Sequence, residues 1–144
     1  VGTKRFISLF IIFTTLVTFS CRASDAAFIE KQTVEARQML KDYALLNCLR
    51  EIEPSSMLAK DLSYAQSSFS FMGSGQHRII QDEETFETKY DPYKAVRDYI
   101  QNESKKAIGH MKSGATSRSV GCLNVYHSTE FNHFISKQDS YIYN

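Results

Sequence analysis

The stretch from Ala36 to Arg50, ARQMLKDYALLNCLR, decides the fold. Ala36, Met39, Leu40, Tyr43, Leu46 and Leu49 recur at three- and four-residue steps, the period of a single helical face. Strict alternation of apolar and polar residues, which marks a half-buried strand, is absent here and along the rest of the chain. The spacing predicts one helix over residues 25–52, capped by Ser24 or Asp25 and stopped by Pro54. Glu30, Lys31, Glu35, Arg37, Lys41 and Asp42 fall on its solvated side.

Downstream the same period recurs. Ser55 or Ser56 opens a second helix, with Leu58, Leu62, Ala65, Phe69 and Met72 as its apolar stripe and Ser63, Gln66, Ser67 and Ser70 as a small, polar face. Gly73-Ser74-Gly75 ends it. That tripeptide is a helix C-cap and turn, because it lacks the Lys-Ser/Thr and the preceding strand of a phosphate loop. Gly73–Asp82 reads as a loop. Glu83–Ile108 reads as helix, broken at Asp91-Pro92, where Pro92 suits a first turn and Asp91 a cap. Tyr93, Val96, Tyr99, Ile100, Ala107 and Ile108 form its buried stripe. Gly109–Arg118 is polar and aperiodic, an exposed loop. Val120–Tyr126 is a short helix. Ser128 caps a last helix that buries Phe131, Phe134 and Ile135. Lys137–Asn144 is a tail that frays unless Tyr141, Ile142 and Tyr143 dock. The expectation is an all-α, compact, single-domain bundle of four to six helices.

The N-terminus sets the compartment. Lys4 and Arg5 precede an uncharged apolar run, Phe6–Phe19, and Cys21-Arg22-Ala23 supplies small residues for cleavage after Ala23. Residues 1–23 therefore read as a signal peptide and 24–144 as the exported domain. The apolar run is shorter than the roughly 20 residues of a spanning helix, so stable membrane insertion is not expected after cleavage. A transmembrane anchor is the rival reading, and lipidation at Cys21 is a further one, although Thr18 and Phe19 suit it poorly. Val1 in first place reads as an alternative or trimmed start.

Charge narrows the partners. The chain has 17 basic and 16 acidic residues. Without Lys4, Arg5 and Arg22 the exported part carries 14 against 16, a net charge of −2. No basic face for nucleic acid remains, nor a polybasic run for anionic lipid. Of the 3 cysteines, Cys48 and Cys122 remain after cleavage. An even pair in an oxidising compartment reads as one disulfide, Cys48–Cys122. It closes a loop of about 75 residues, for which chain entropy gives roughly 4 kcal/mol. Two buried thiols are one alternative. A cysteine nucleophile assisted by His127, five residues on from Cys122, is another.

Other chemistry is weakly signalled. His77, His110, His127 and His133 show no i, i+4 pair and no companion cluster for a metal. No Gly-x-Ser-x-Gly elbow is present. Asp82-Glu83-Glu84 is explained by a helix N-terminus, which favours negative charge. The pattern points to binding without catalysis and without a cofactor or metal.

Cys122-Leu-Asn-Val-Tyr-His-Ser-Thr-Glu-Phe131 resembles the C-terminal signature of the type VI secretion amidase immunity proteins, the Tai group, which read much like Cys-Leu-acid/amide-hydrophobic-Tyr-His-Ser-Lys-Glu-Leu. Asn47-Cys48-Leu49 resembles their first-helix cysteine. Asp61–Ala65 and Phe69–Gly73 are similar to their second helix. The resemblance covers about residues 25–137. Thr129 replaces the usual Lys and Phe131 the usual Leu. It implies a helical periplasmic immunity protein, commonly a homodimer, whose partner is a secreted peptidoglycan amidase, a papain-like cysteine enzyme whose active-site groove it blocks. A protruding loop on a rigid base fills a cleft at little ordering cost. His110, Lys112, Ser113, Gly114, Thr116 and Ser117 are the first candidates for contact, and Gln76 and His77 the second. Tyr126, His127, Ser128 and Glu130 of the signature have a structural role as their leading expectation. The competing function is a periplasmic ligand-binding or envelope-assembly protein with no toxin partner.

Overall fold

A computed structural model describes the backbone of residues 4–143 and the side chains of residues 25–143. The chain divides into two compact units, Val1–Val34 and Glu35–Asn144, and the first helix, α1 (Lys4–Arg50), runs through both. The leader expected at residues 1–23, with its cleavage point, lies outside the residues whose side chains are described. Because α1 already starts at Lys4, the cap expected at Ser24 or Asp25 is not a helix start. Phe28, Ile29 and Val34 of the first unit are exposed. Among the described residues, no helix is long and apolar enough to cross a membrane.

The second unit is built on helices. After α1 come α2 (Met57–Ser68), α3 (Pro92–Ser104), α4 (Arg118–His127) and α5 (Thr129–Ser136). Two short antiparallel strand pairs are inserted: β1 (Ile80–Gln81) with β2 (Thr88–Tyr90), and β3 (Gly109–His110) with β4 (Thr116–Ser117). The architecture is all-α in its core, as the helical periods predict. Leu40, Tyr43, Ala44 and Cys48 from α1 pack with Tyr93, Val96 and Ile100 from α3, Cys122 and Val125 from α4, and Phe131 and Ile135 from α5. Tyr99 stacks on Phe134 with ring centroids 4.4 Å apart, which joins α3 to α5.

The starts of α2 to α5 are chemically marked. Ser56 accepts from the Ala59 N–H to cap α2. Asp91 accepts from Tyr93 and Lys94 to cap α3, with Pro92 in the first turn, where its missing N–H costs nothing. Ser117 caps α4 through Val120, and Ser128 caps α5 through Phe131. These hydroxyl and carboxylate acceptors satisfy N–H groups that have no partner inside the helix.

One covalent bond crosses the core. Cys48 and Cys122 form a disulfide, with Cα atoms 5.9 Å apart and a sequence separation of 74. It joins the last turn of α1 to the middle of α4. The bonded Cys122 sulfur is not a free thiolate, which removes the Cys122–His127 nucleophile from consideration.

Three expectations are corrected. The stripe assigned to α2 faces the core only in its middle: Leu62, Ala65 and Phe69 are half-buried and Phe69 packs against the core, whereas Leu58 and Met72 are exposed. Ala59 and Gln66 are buried beside it. Small Ala59 permits close approach, and the Gln66 amide oxygen accepts from Arg50 Nη1 at 2.7 Å, so Gln66 alone of the small, polar face is buried while Ser67 stays exposed. The helix also ends at Ser68, with Phe69 as C-cap, short of Met72.

Residues 83–90 are not helical. Asp82 turns the chain back by accepting from the Glu84 and Thr85 N–H groups, and Lys89 Nζ lies 2.6 Å from its other oxygen. Lys89 and those two N–H groups hold the Asp82 carboxyl down at about 2. The carboxylate thus closes a hairpin and does not serve a helix N-terminus.

The tail is docked. Asp139–Tyr141 forms a 3-10 turn, and Ile142 pairs with His77 as an isolated bridge. Arg37 ion-pairs with Asp139. Tyr141 stacks on Tyr90 at 4.4 Å, and Tyr90 donates to Gln138 Oε1 at 2.7 Å.

His77 is the second candidate contact that moves from surface to core. It is only 1% exposed. Both ring nitrogens are buried without a hydrogen-bond partner, and the ring meets Tyr93 edge-on. Burial pushes its pKa down to about 4, against a smaller upward pull from Asp139.

Two outcomes follow for stability. Cys48→Ser with Cys122→Ser should lower the urea-unfolding free energy by about 4 kcal/mol; an unchanged value would show that the bond constrains nothing. For His77, the unfolded chain takes up a proton near pH 6.5 and the folded chain only near 4. Between those values the unfolded state binds more protons, so stability falls as pH falls through that window. The expected loss from His77 alone is about 3 kcal/mol. His77→Leu should remove that part of the pH slope, and a variant slope equal to the wild-type one would contradict it.

Candidate functional site

The segment from Gly109 to Arg118 is a hairpin, more ordered than the aperiodic loop expected there. α3 ends at Ser104, and the Lys106 and Ala107 N–H groups fold back onto the Glu103 carbonyl. β3 then leaves the helix end and returns as β4, with Gly109 opposite Ser117 and His110 opposite Thr116. Across the tip the Met111 N–H donates to the Ala115 carbonyl at 2.8 Å, and Gly114 to Met111 at 2.9 Å. Gly114 has φ +85°, and a Cβ there would meet nothing. Its requirement is conformational: the tip needs left-handed backbone, which glycine supplies without strain.

The base of this hairpin is fixed from several sides. A Cβ on Gly109 would lie 2.6 Å from Val120 Cγ1, so β3 rests directly on the first turn of α4. A Cβ on Gly121 would lie 2.5 Å from the Ser104 carbonyl oxygen, so α4 meets the end of α3 backbone to backbone. Arg118, at the first turn of α4, donates to the Ile52 carbonyl at 3.0 Å and the Glu51 carbonyl at 3.1 Å. These carbonyls follow the end of α1, where orphan acceptors favour a cation. One helical turn further on, Cys122 is bonded to Cys48. A cavity of about 220 Å³ lies alongside, lined by Arg118, Gln101, Lys105 and the disulfide among others.

The tip, in contrast, is open. His110, Lys112, Ser113, Gly114 and Thr116 are exposed. Ser117 is half-buried and occupied as the α4 cap. Met111 is 57% exposed and adds a large apolar side chain beside Lys112. Sequence reading missed Met111 because a single methionine in a polar stretch carries no periodic signal. It also missed Arg118, whose carbonyl partners lie 66 and 67 residues away in sequence.

The second candidate loop is a clasp. The Gln76 carbonyl accepts from the Tyr143 N–H at 2.9 Å, and the Arg78 N–H donates to the Tyr141 carbonyl at 2.8 Å. The Gln76 amide oxygen is buried without a partner. With His77 in the core, this segment binds the tail of its own chain and presents no ring to a partner.

The signature residues divide by role. The Tyr126 hydroxyl donates to Asp42 Oδ1 at 2.7 Å and accepts from Gln38 Nε2 at 2.8 Å, while Lys41 Nζ sits 4.5 Å from its ring centre. Burial, then the bond to Asp42, pushes the Tyr126 pKa up. The phenol thus ties α4 to α1. Ser128 is both the last cap of α4 and the first cap of α5. Glu130 lies in the first turn of α5, where the helix dipole favours it. His127 is exposed, with Tyr126 edge-on at 5.0 Å. Among the described residues, no group of three or more His, Cys, Asp or Glu side chains is placed to hold a metal.

Gly109→Ala should lower the unfolding free energy by about 1–3 kcal/mol, since the added carbon must displace Val120 or the strand; chemical denaturation measures this. Lys112→Ala at the tip should change it by less than about 0.5 kcal/mol. Equal losses at the two positions would contradict an anchored base with a free tip. In comparisons with known proteins, no family model, no curated protein and no solved structure matches this chain.

Proposed function

We propose that this chain is an immunity protein that binds an exported peptidoglycan amidase and fills its active-site groove with the β3–β4 hairpin. The observation that carries this reading is the contrast at that hairpin: an exposed tip, Met111–Thr116, on a base held by Arg118, Gly109 and the disulfide. A protein inhibitor gains affinity when the inserted element is ordered before binding, because little conformational entropy is then lost on association. The tip combines an apolar side chain, Met111, with a cation, Lys112. The resemblance of Cys122–Phe131 to the amidase immunity proteins supports the choice of partner. On this reading the chain has no catalytic role.

Location and assembly belong to the same reading. The disulfide fits an oxidising compartment such as the periplasm. Self-association as a homodimer is supported by the large apolar side chains left on and after α2: Met57, Leu58, Tyr64, Phe71 and Met72 are all exposed. Large apolar side chains left exposed in one stretch of chain are candidate contacts for a second copy.

The test is co-purification with candidate exported cysteine amidases, followed by a wall-cutting assay. A stable complex and loss of cutting are expected. Changing Lys112 to Glu and Met111 to Ser together should weaken inhibition by at least about tenfold with the unfolding midpoint unchanged. No complex with any such amidase, or full cutting activity within the complex, would sink the proposal.

A further inference from the structure

The second hairpin, β1–β2, carries a residue that its own fold does not use. Its turn runs from Asp82 to Glu87. The Asp82 N–H donates to the Glu87 carbonyl at 2.9 Å and the Phe86 N–H to the Asp82 carbonyl at 3.0 Å. Phe86 has φ 58°, which makes it the single non-glycine residue with positive φ among the described residues. That backbone region suits glycine or asparagine and is unfavourable for a bulky aromatic residue.

Burial of the ring does not offset that strain. The Phe86 side chain is 74% exposed. The turn is closed by backbone bonds and by the Asp82 carboxylate, none of which needs an aromatic ring at position 86. Glycine would make the same turn without strain. Strained backbone that displays a side chain to solvent is a mark of contact with something outside the chain.

The surroundings state what that contact can be. Glu83, Glu84 and Glu87 stand exposed beside Phe86, while Asp82 is neutralised by Lys89. An apolar knob inside an acidic collar is repelled by nucleic acid and by anionic lipid. Its complement is a protein pocket that is apolar at its floor and rimmed by lysine or arginine, since interface potentials pair by opposite sign. Aromatic side chains seated in such pockets dominate binding energy.

We infer that Phe86 is a second anchor of the inhibitory complex, inserted into an apolar, basic-rimmed pocket on the amidase surface; this rests on the proposed function. The Phe86 hairpin and the β3–β4 hairpin then hold one enzyme at two points.

The experiment compares wild type, Phe86→Gly, Phe86→Asn and Phe86→Tyr by calorimetric titration against the amidase that co-purifies with the wild-type chain, and by thermal unfolding. Gly and Asn both accept the left-handed backbone and remove the ring. Each should raise the unfolding temperature and weaken binding by at least about tenfold, while Tyr retains affinity. Replacing Glu83, Glu84 and Glu87 with Gln should flatten the salt dependence of binding. Gly and Asn variants that bind as tightly as wild type would overturn this anchor and leave the proposed function standing. Failure of the wild-type chain to bind any exported amidase would overturn both.

Discussion

The bond between Cys48 and Cys122 fixes where α1 ends relative to α4, and the rest of the second unit is arranged around that junction. Arg118 reaches the Glu51 and Ile52 carbonyls from one turn before the bond, and Tyr126 reaches Asp42 and Gln38 from one turn after it. α4 is therefore held to α1 at three successive levels: an ionic cap, a covalent bond and a phenol network. Because β4 runs directly into α4, the hairpin before it inherits this fixed position. A domain of this size has a net stability of only ~5–15 kcal/mol, so a constraint worth about 4 kcal/mol decides whether the junction persists.

The opposite end is closed by different means. The 3-10 turn at Asp139–Tyr141 is held by Arg37, by the stacked Tyr90 ring and by backbone bonds to the segment around His77. These contacts surround an imidazole with no hydrogen-bond partner. In the neutral form it behaves as a flat, weakly polar filler against Tyr93. Protonation would place a charge where Asp139, already engaged by Arg37, is the nearby carboxylate. Structure at this end is thus sensitive to acid, whereas the disulfide end is sensitive to reductant.

The helical framework was legible because its signals are local. Ser56, Asp91-Pro92 and Ser128 mark helix starts through bonds to N–H groups two or three residues on, and a single sequence contains both partners. The cysteine pair was legible by count. What was not legible depends on distant partners. The ends of the α2 stripe were assigned inward because Leu58 and Met72 are apolar, yet a fully buried position belongs to Gln66 through Arg50, 16 residues away. Residues 83–90 carry helix-compatible acids, and strands of two or three residues are too short to show alternation. His77 lies in a polar loop by composition, and Tyr93 of α3 together with the docked tail encloses it. At the candidate site, the exposed tip from His110 to Thr116 was legible from polarity and glycine, but its rigidity was not, because that comes from Val120, Ser104 and the end of α1.

The two hairpins differ in chemistry as well as in place. β3–β4 presents methionine and lysine, and β1–β2 presents phenylalanine among glutamates, so a partner that engages both must offer pockets of unlike charge. The claim at the centre of this account is that the β3–β4 tip enters a partner enzyme. Amide hydrogen exchange of the full chain, with and without an exported peptidoglycan amidase, tests it directly. The account predicts strong slowing at residues 110–116 in the complex. A complex in which those amides exchange as fast as in the free chain would contradict it.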